Sequence, residues 1–162
     1  LEPFIRRARQ TLSGVFILVR TSNPGSADLQ QLMIGRKPIW AHVAAELAEI
    51  VKEETDPTCN MSSVGVVVGA TGPKHALAVR DLLPNAPFLI PGYGAQGAKS
   101  EEALSGLTAD KQNGVYKGGL INASRSITHG KGVQNASTVG EAVAAIKTAI
   151  HEAIFDLAAI RV

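Results

Sequence analysis

Four short apolar runs punctuate the chain, and none contains a charge: "VFILV" (15–19), "VGVVV" (64–68), "FLI" (88–90) and "GLI" (119–121). Continuous rather than alternating apolar character predicts strands covered on both faces, the habit of parallel sheets. Between and after these runs, apolar positions return at helical spacing. Trp40, Val43, Leu47 and Ile50 form one such series. Pro73 can open a second helix at its first position, ahead of Ala76, Leu77, Val79, Leu82 and Leu83. Val139, Val143, Ile146, Ile150 and Leu157 form a third stripe, preceded by a capping-box pattern of Thr138 and Glu141. A short helix is expected near Ser100–Leu104, and "LTADKQNGVYKGG" (107–119) reads as the most loop-like stretch. Strands alternating with helices predict an α/β fold with a parallel sheet.

Composition narrows the possibilities. The 162 residues suffice for one ordinary domain, and 45% apolar with 19% charged residues is a globular balance. A net charge of +2 gives no argument for nucleic acid or an anionic membrane. Arg6, Arg7 and Arg9 read as a solvated helix face. The single cysteine, Cys59, excludes an internal disulfide and fits a reducing compartment. No apolar run approaches bilayer length. His42, His75, His129 and His151 show no ligand spacing, so no metal site is expected.

The chemistry gathers where the strands stop. The first run passes into "RTSNPGS" (20–26), the second into "GATGP" (69–73), the third into "PGYGAQG" (91–97) and the fourth into "NASRS" (122–126). Ligands of parallel α/β folds sit beyond the carboxyl ends of the strands. A glycine-rich loop exposes backbone N–H groups, and an anion is their natural guest. Gln96 adds an amide, Ser124 a further donor, and Arg125 a planar fork suited to two phosphate oxygens. From spacing alone two readings stand side by side. One is a phosphate site. The other is a shaped turn with Arg125 paired to a carboxylate. Similarly, "RTSNPG" suits either a plain turn or a donor set for a polar ring.

In order and spacing, "FILVRTSNPGSADLQ", "VVVGATGP", "FLIPGYGAQG" and "LINASRSI" resemble the second half of orotidine 5'-phosphate decarboxylase in its longer bacterial form. The resemblance runs from about Phe16 to Ser126, with the last helix in the place of a closing helix. It implies a parallel (β/α)8 barrel of which residues 1–162 supply strands five to eight, one C-terminal half of a single domain. It implies a dimeric, cytoplasmic enzyme that converts orotidine monophosphate to UMP without a cofactor. By the same resemblance Gln96 reaches the substrate phosphate from a mobile loop, and Arg125 with Ser124 binds that phosphate. Ser22 meets the pyrimidine, Pro91 lines the pocket near the carboxylate, and Gly94 belongs to the loop that folds over the phosphate. The sequence departs from the family in one respect. The Asp-x-Lys-x-x-Asp signature of the catalytic strand is absent, and the dipeptide Asp110-Lys111 lacks its spacing. The chain is therefore expected to bind rather than to transfer protons, to need the missing N-terminal half as a partner, and to be inactive alone. A non-catalytic phosphate-binding half-barrel module, or another barrel enzyme acting on a sugar phosphate, are the alternative readings.

Overall fold

The computed structural model describes every residue from Leu1 to Val162. The four apolar runs become β1 (Val15–Arg20), β2 (Val64–Val68), β3 (Phe88–Pro91) and β4 (Gly119–Asn122). They lie side by side in that order, and every neighbouring pair is parallel. The helices are α1 (Glu2–Thr11), α2 (Ser26–Gln30), α3 (Ile39–Glu53), α4 (Pro73–Leu82), α5 (Ser100–Leu104), α6 (Arg125–Thr128), α7 (Lys131–Gln134) and α8 (Val139–Ala158). Pro73 does open α4. At α8, Thr138 Oγ1 accepts from the Glu141 N–H, while the Glu141 carboxylate accepts from Ser137 N–H, one residue ahead of a strict capping box.

The pleat sorts the sheet into two unlike faces. Val64, Val66, Val68, Phe88 and Ile90 turn toward Trp40, Ala44, Leu47 and Val51 of α3 and Ala76 and Val79 of α4, and this is the core. The register places Leu18, Val67, Leu89 and Leu120 in one row on the opposite face. That row is open: Leu18 is 52% exposed and Leu120 64%. The α8 stripe is only half covered, with Leu157 against the core and Val139, Val143 and Ile150 exposed. Total accessible surface is 10029 Å², against about 7,700 Å² for a compact monomer of this mass. An open apolar face, unpaired edges at β1 and β4, and helices on the other side describe half of an α/β barrel.

The stretch 107–119 is more ordered than its composition suggests. It folds as a hairpin, Thr108–Asp110 against Val115–Lys117. Asp110 accepts from the backbone N–H groups of Gln112 and Asn113, Gly114 takes a φ of 66°, and Lys117 pairs with Asp110 across the strands. An aspartate closing its own turn is a local device that composition alone does not reveal.

One interior cation braces the half-barrel. Arg80 of α4 donates to the carbonyls of Gly106 (3.0 Å), Ala86 (2.7 Å) and Gly118 (2.8 Å), and to those of Leu83 and Pro84. Its guanidinium lies 3.7 Å over the Phe88 ring. Burial pushes its pKa down to about 10, which still leaves it charged at neutral pH. Arg80→Ala would orphan several carbonyls at once. Urea denaturation is expected to show a loss of about 2–3 kcal/mol. Arg80→Lys should recover little of it, because a lysine cannot reproduce the planar fork. A wild-type midpoint for Arg80→Ala would contradict the bracing role.

Candidate functional site

All four strands point the same way, so their carboxyl ends share one rim. Ser22, just past β1, is only 8% exposed there. A Cβ on Gly69 would lie 2.7 Å from Ser22 Cα, and one on Gly92 would lie 2.7 Å from Ser22 Cβ. Both positions must be glycine for the ends of β1, β2 and β3 to close on this serine. Gly92 also has a φ of 107°, a conformation that penalises any side chain. Thr71 Oγ1 donates to the Ser22 carbonyl at 3.1 Å, while the Ser22 hydroxyl bonds nothing in the fold.

Beyond Pro91 the chain turns back on itself. Gly94 N–H donates to Ala98 O at 3.1 Å, Gly97 N–H to Gly94 O at 2.8 Å, and Ala98 N–H to Gly92 O at 3.3 Å. The loop is thus tied by its own backbone, and the amides of Ala95 and Gln96 are left free at its tip. Across from it, β4 ends at Asn122, in register with Pro91. Ser124 precedes α6, whose first residue is Arg125. The N–H groups of a first helical turn have no carbonyl partner within the helix.

Pro91, Tyr93, Gln96, Asn122, Ser124 and Arg125 line one cavity of about 210 Å³. Four of the six expected substrate-binding residues therefore meet in one place. The other two do not line it. Gly94 faces a neighbouring cavity, and its N–H donates to Ala98 O. Ser22 sits behind Gly92. Tyr93 and Asn122 carry no sequence signal of their own, and it is the register with Pro91 that places Asn122 at the same rim. A larger opening of about 500 Å³ lies at the amino ends of β1 and β2, among Arg9, Gly14, Phe16 and Gly65. Chemistry in parallel α/β folds sits at the other end, so the smaller cavity is the candidate site.

The charge pattern separates the two readings of Arg125. The ion pairs of the chain are Arg9 with Glu54, Lys52 with Glu49, and Lys117 with Asp110. No carboxylate pairs with Arg125. The cavity thus offers an unengaged guanidinium, a primary amide, a hydroxyl and free backbone N–H groups. All of these can donate, and a tetrahedral oxyanion can accept from all of them.

The sequence model of the orotidine 5'-phosphate decarboxylase / HUMPS family matches residues 1–139. The orotidine 5'-phosphate decarboxylase of Halorubrum lacusprofundi is 42% identical over 128 residues, covering 78% of this chain and 42% of that protein. That of Deinococcus radiodurans is 34% identical over 154 residues, covering 95% of this chain and 53% of that protein. The chain spans about half the length of such relatives. Among solved structures, Leishmania donovani OMP decarboxylase superposes with a TM-score of 0.57 at 34% identity, over 91% of this chain and 49% of that one. The Methanocaldococcus jannaschii enzyme, complexed with the inhibitor BMP, gives 0.56 at 18% identity over 88% of this chain and 51% of that one, a likeness of fold. Matched over most of its length by the family model and by relatives above 30% identity, the chain belongs to the orotidine 5'-phosphate decarboxylase / HUMPS family.

Proposed function

We propose that residues 1–162 form the C-terminal half of one barrel domain, strands five to eight, of an orotidine 5'-phosphate decarboxylase. In this reading the chain supplies the phosphate and pyrimidine contacts of a homodimeric cytoplasmic lyase that converts orotidine monophosphate to UMP and CO2. The carrying observation is the convergence of Gln96, Ser124 and unpaired Arg125 on one cavity past the last two strands, where barrels often hold phosphate.

The roles follow from the groups available. Arg125 addresses two phosphate oxygens through its fork, and Gln96 adds its amide from the loop. The free N–H groups of Ala95 and Gln96 are further donors. The Ser22 hydroxyl, with no partner in the fold, is the hydrogen-bonding group for the pyrimidine, and Pro91 walls the side toward the carboxylate. Decarboxylation leaves an electron pair on the ring carbon, which a lysine of the complementary half would protonate as CO2 departs. Phosphate binding speeds that step only where it is better realised in the transition state than in the ground state. A loop that gathers over the dianion provides such a difference.

The test compares UMP with uridine by calorimetry on the complete barrel. UMP is expected to bind roughly a hundredfold more tightly, the scale of a charge-assisted anion site. Equal affinity for the two would refute the assignment.

A further inference from the structure

The loop that carries Gln96 is tied at both ends to one carboxylate. Asp156 lies near the end of α8, and its Oδ2 accepts from the Tyr93 hydroxyl at 2.6 Å and from the Ser100 hydroxyl at 2.5 Å. Tyr93 and Ser100 bracket residues 94–99, the segment with Gly94, Gln96 and Gly97. Ser100 is 4% exposed, so this end of the loop is packed into the protein. Tyr93 lines the proposed phosphate cavity and, with Asp156, also the neighbouring cavity of about 280 Å³ behind the loop. Gly94 rests so near Ser126 that a Cβ would lie 3.0 Å from its hydroxyl.

Asp156 forms no ion pair, and its side-chain bonds are those two hydroxyls. The hydrogen bonds from Ser100 and Tyr93 hold the Asp156 carboxyl below the usual carboxylate range, keeping it ionised. Burial, together with the bond to Asp156, pushes the Tyr93 phenol up to about 12. Both hydroxyls therefore remain donors at working pH. Asp156 also lies beyond residues 1–139, the segment matched by the family model.

We propose that Asp156 is a positioning residue that clamps both ends of the phosphate loop and so sets where Gln96 stands. The proposal rests on the phosphate reading given above. The loop tip, tied by its own backbone, can rearrange over an anion while its two ends stay fixed on α8. Fixing the ends lowers the ordering that the loop must undergo on binding.

The experiment uses the complete barrel, with UMP and uridine as probes in calorimetry. Asp156→Ala is expected to weaken UMP about tenfold, the scale of one or two charge-assisted hydrogen bonds acting through a loop. Uridine should bind as before. Tyr93→Phe should weaken UMP in the wild type and add little on top of Asp156→Ala, because both remove the same contact. Ultraviolet titration should show the Tyr93 phenol titrating lower in Asp156→Ala than in the wild type, with the part of the upward shift that comes from burial remaining. Asp156→Asn, which keeps the shape and an acceptor oxygen, should recover part of the affinity. Unchanged UMP affinity, or equal losses for UMP and uridine, would overturn the clamp. Arg125→Ala is measured alongside. If it weakens UMP while Asp156→Ala does not, the clamp fails and the phosphate site stands. If Arg125→Ala has no effect on UMP, both fall.

Discussion

The 162-residue chain by itself is expected to leave orotidine monophosphate unconverted. The reaction needs a cationic acid beside the ring carbon that loses CO2, held within about 2.6–3.2 Å or one water of it. No lysine lies on any of the four strands, and every lysine of the chain is exposed. Lys117 is paired with Asp110 in a hairpin that precedes β4, at the end of the barrel away from the site. Lys111 sits in the turn of that hairpin. Lys99 stands at the base of the loop that carries Gln96, is exposed, and is not among the residues that line the cavity. A donor on a solvated loop lacks the fixed placement that strand-borne groups have. The assay follows loss of orotidine monophosphate absorbance with mass-verified chain. Adding a polypeptide with the Asp-x-Lys-x-x-Asp half should bring turnover from none to readily measurable. Robust turnover by the chain alone would mean that the catalytic centre has been misplaced.

Arg125→Ala in the complete barrel is expected to cost phosphate-bearing ligands about 2–5 kcal/mol, the scale for losing one partner of a desolvated charge pair. The guanidinium has no carboxylate partner in the fold, so its removal breaks no internal ion pair and strands no buried anion. Stability should therefore barely change, which separates this variant from Arg80→Ala. Nucleosides should bind as in the wild type. Arg125→Lys should recover the charge but not the two-oxygen fork, and restore only part of the affinity. Calorimetry with UMP and uridine, together with urea denaturation, reads both effects. A similar loss for nucleoside and nucleotide would contradict the assignment.

The sheet was legible in the sequence because its strands are covered by helices on one side and shaped for a barrel interior on the other. Each therefore carries an unbroken apolar run. The site was legible in part for a related reason. Parallel strands deliver the residues after every run to one rim, and this places Pro91, Gln96, Ser124 and Arg125 together. What the sequence hid depends on contacts between distant positions. Arg80 looks like any surface arginine of a helix, and only the folded chain shows five carbonyls around it. Asp156 reads as the polar side of an amphipathic helix, and its bonds span 63 and 56 residues. Ser22 lies in a stretch that suits a plain turn as well as a donor set, and its burial depends on the bare backbone of Gly69 and Gly92. The hairpin at 108–117 was obscured by its polar composition, since a two-stranded ribbon on the surface has no buried face to mark it.

The bare flanks of the sheet bear on how such a chain behaves at concentration. Natural border strands are guarded by lysines, prolines or bulges that discourage stray pairing. β4, "GLIN", has no charge, and β1 keeps its only one, Arg20, buried, its one guard being a register irregularity between Leu18 and Arg20. Each presents a row of backbone donors and acceptors beside exposed leucines, a template for self-association into irregular aggregates. Yield of well-dispersed material should accordingly depend on how quickly the complementary strands arrive during synthesis. Co-expression would then outperform mixing after purification.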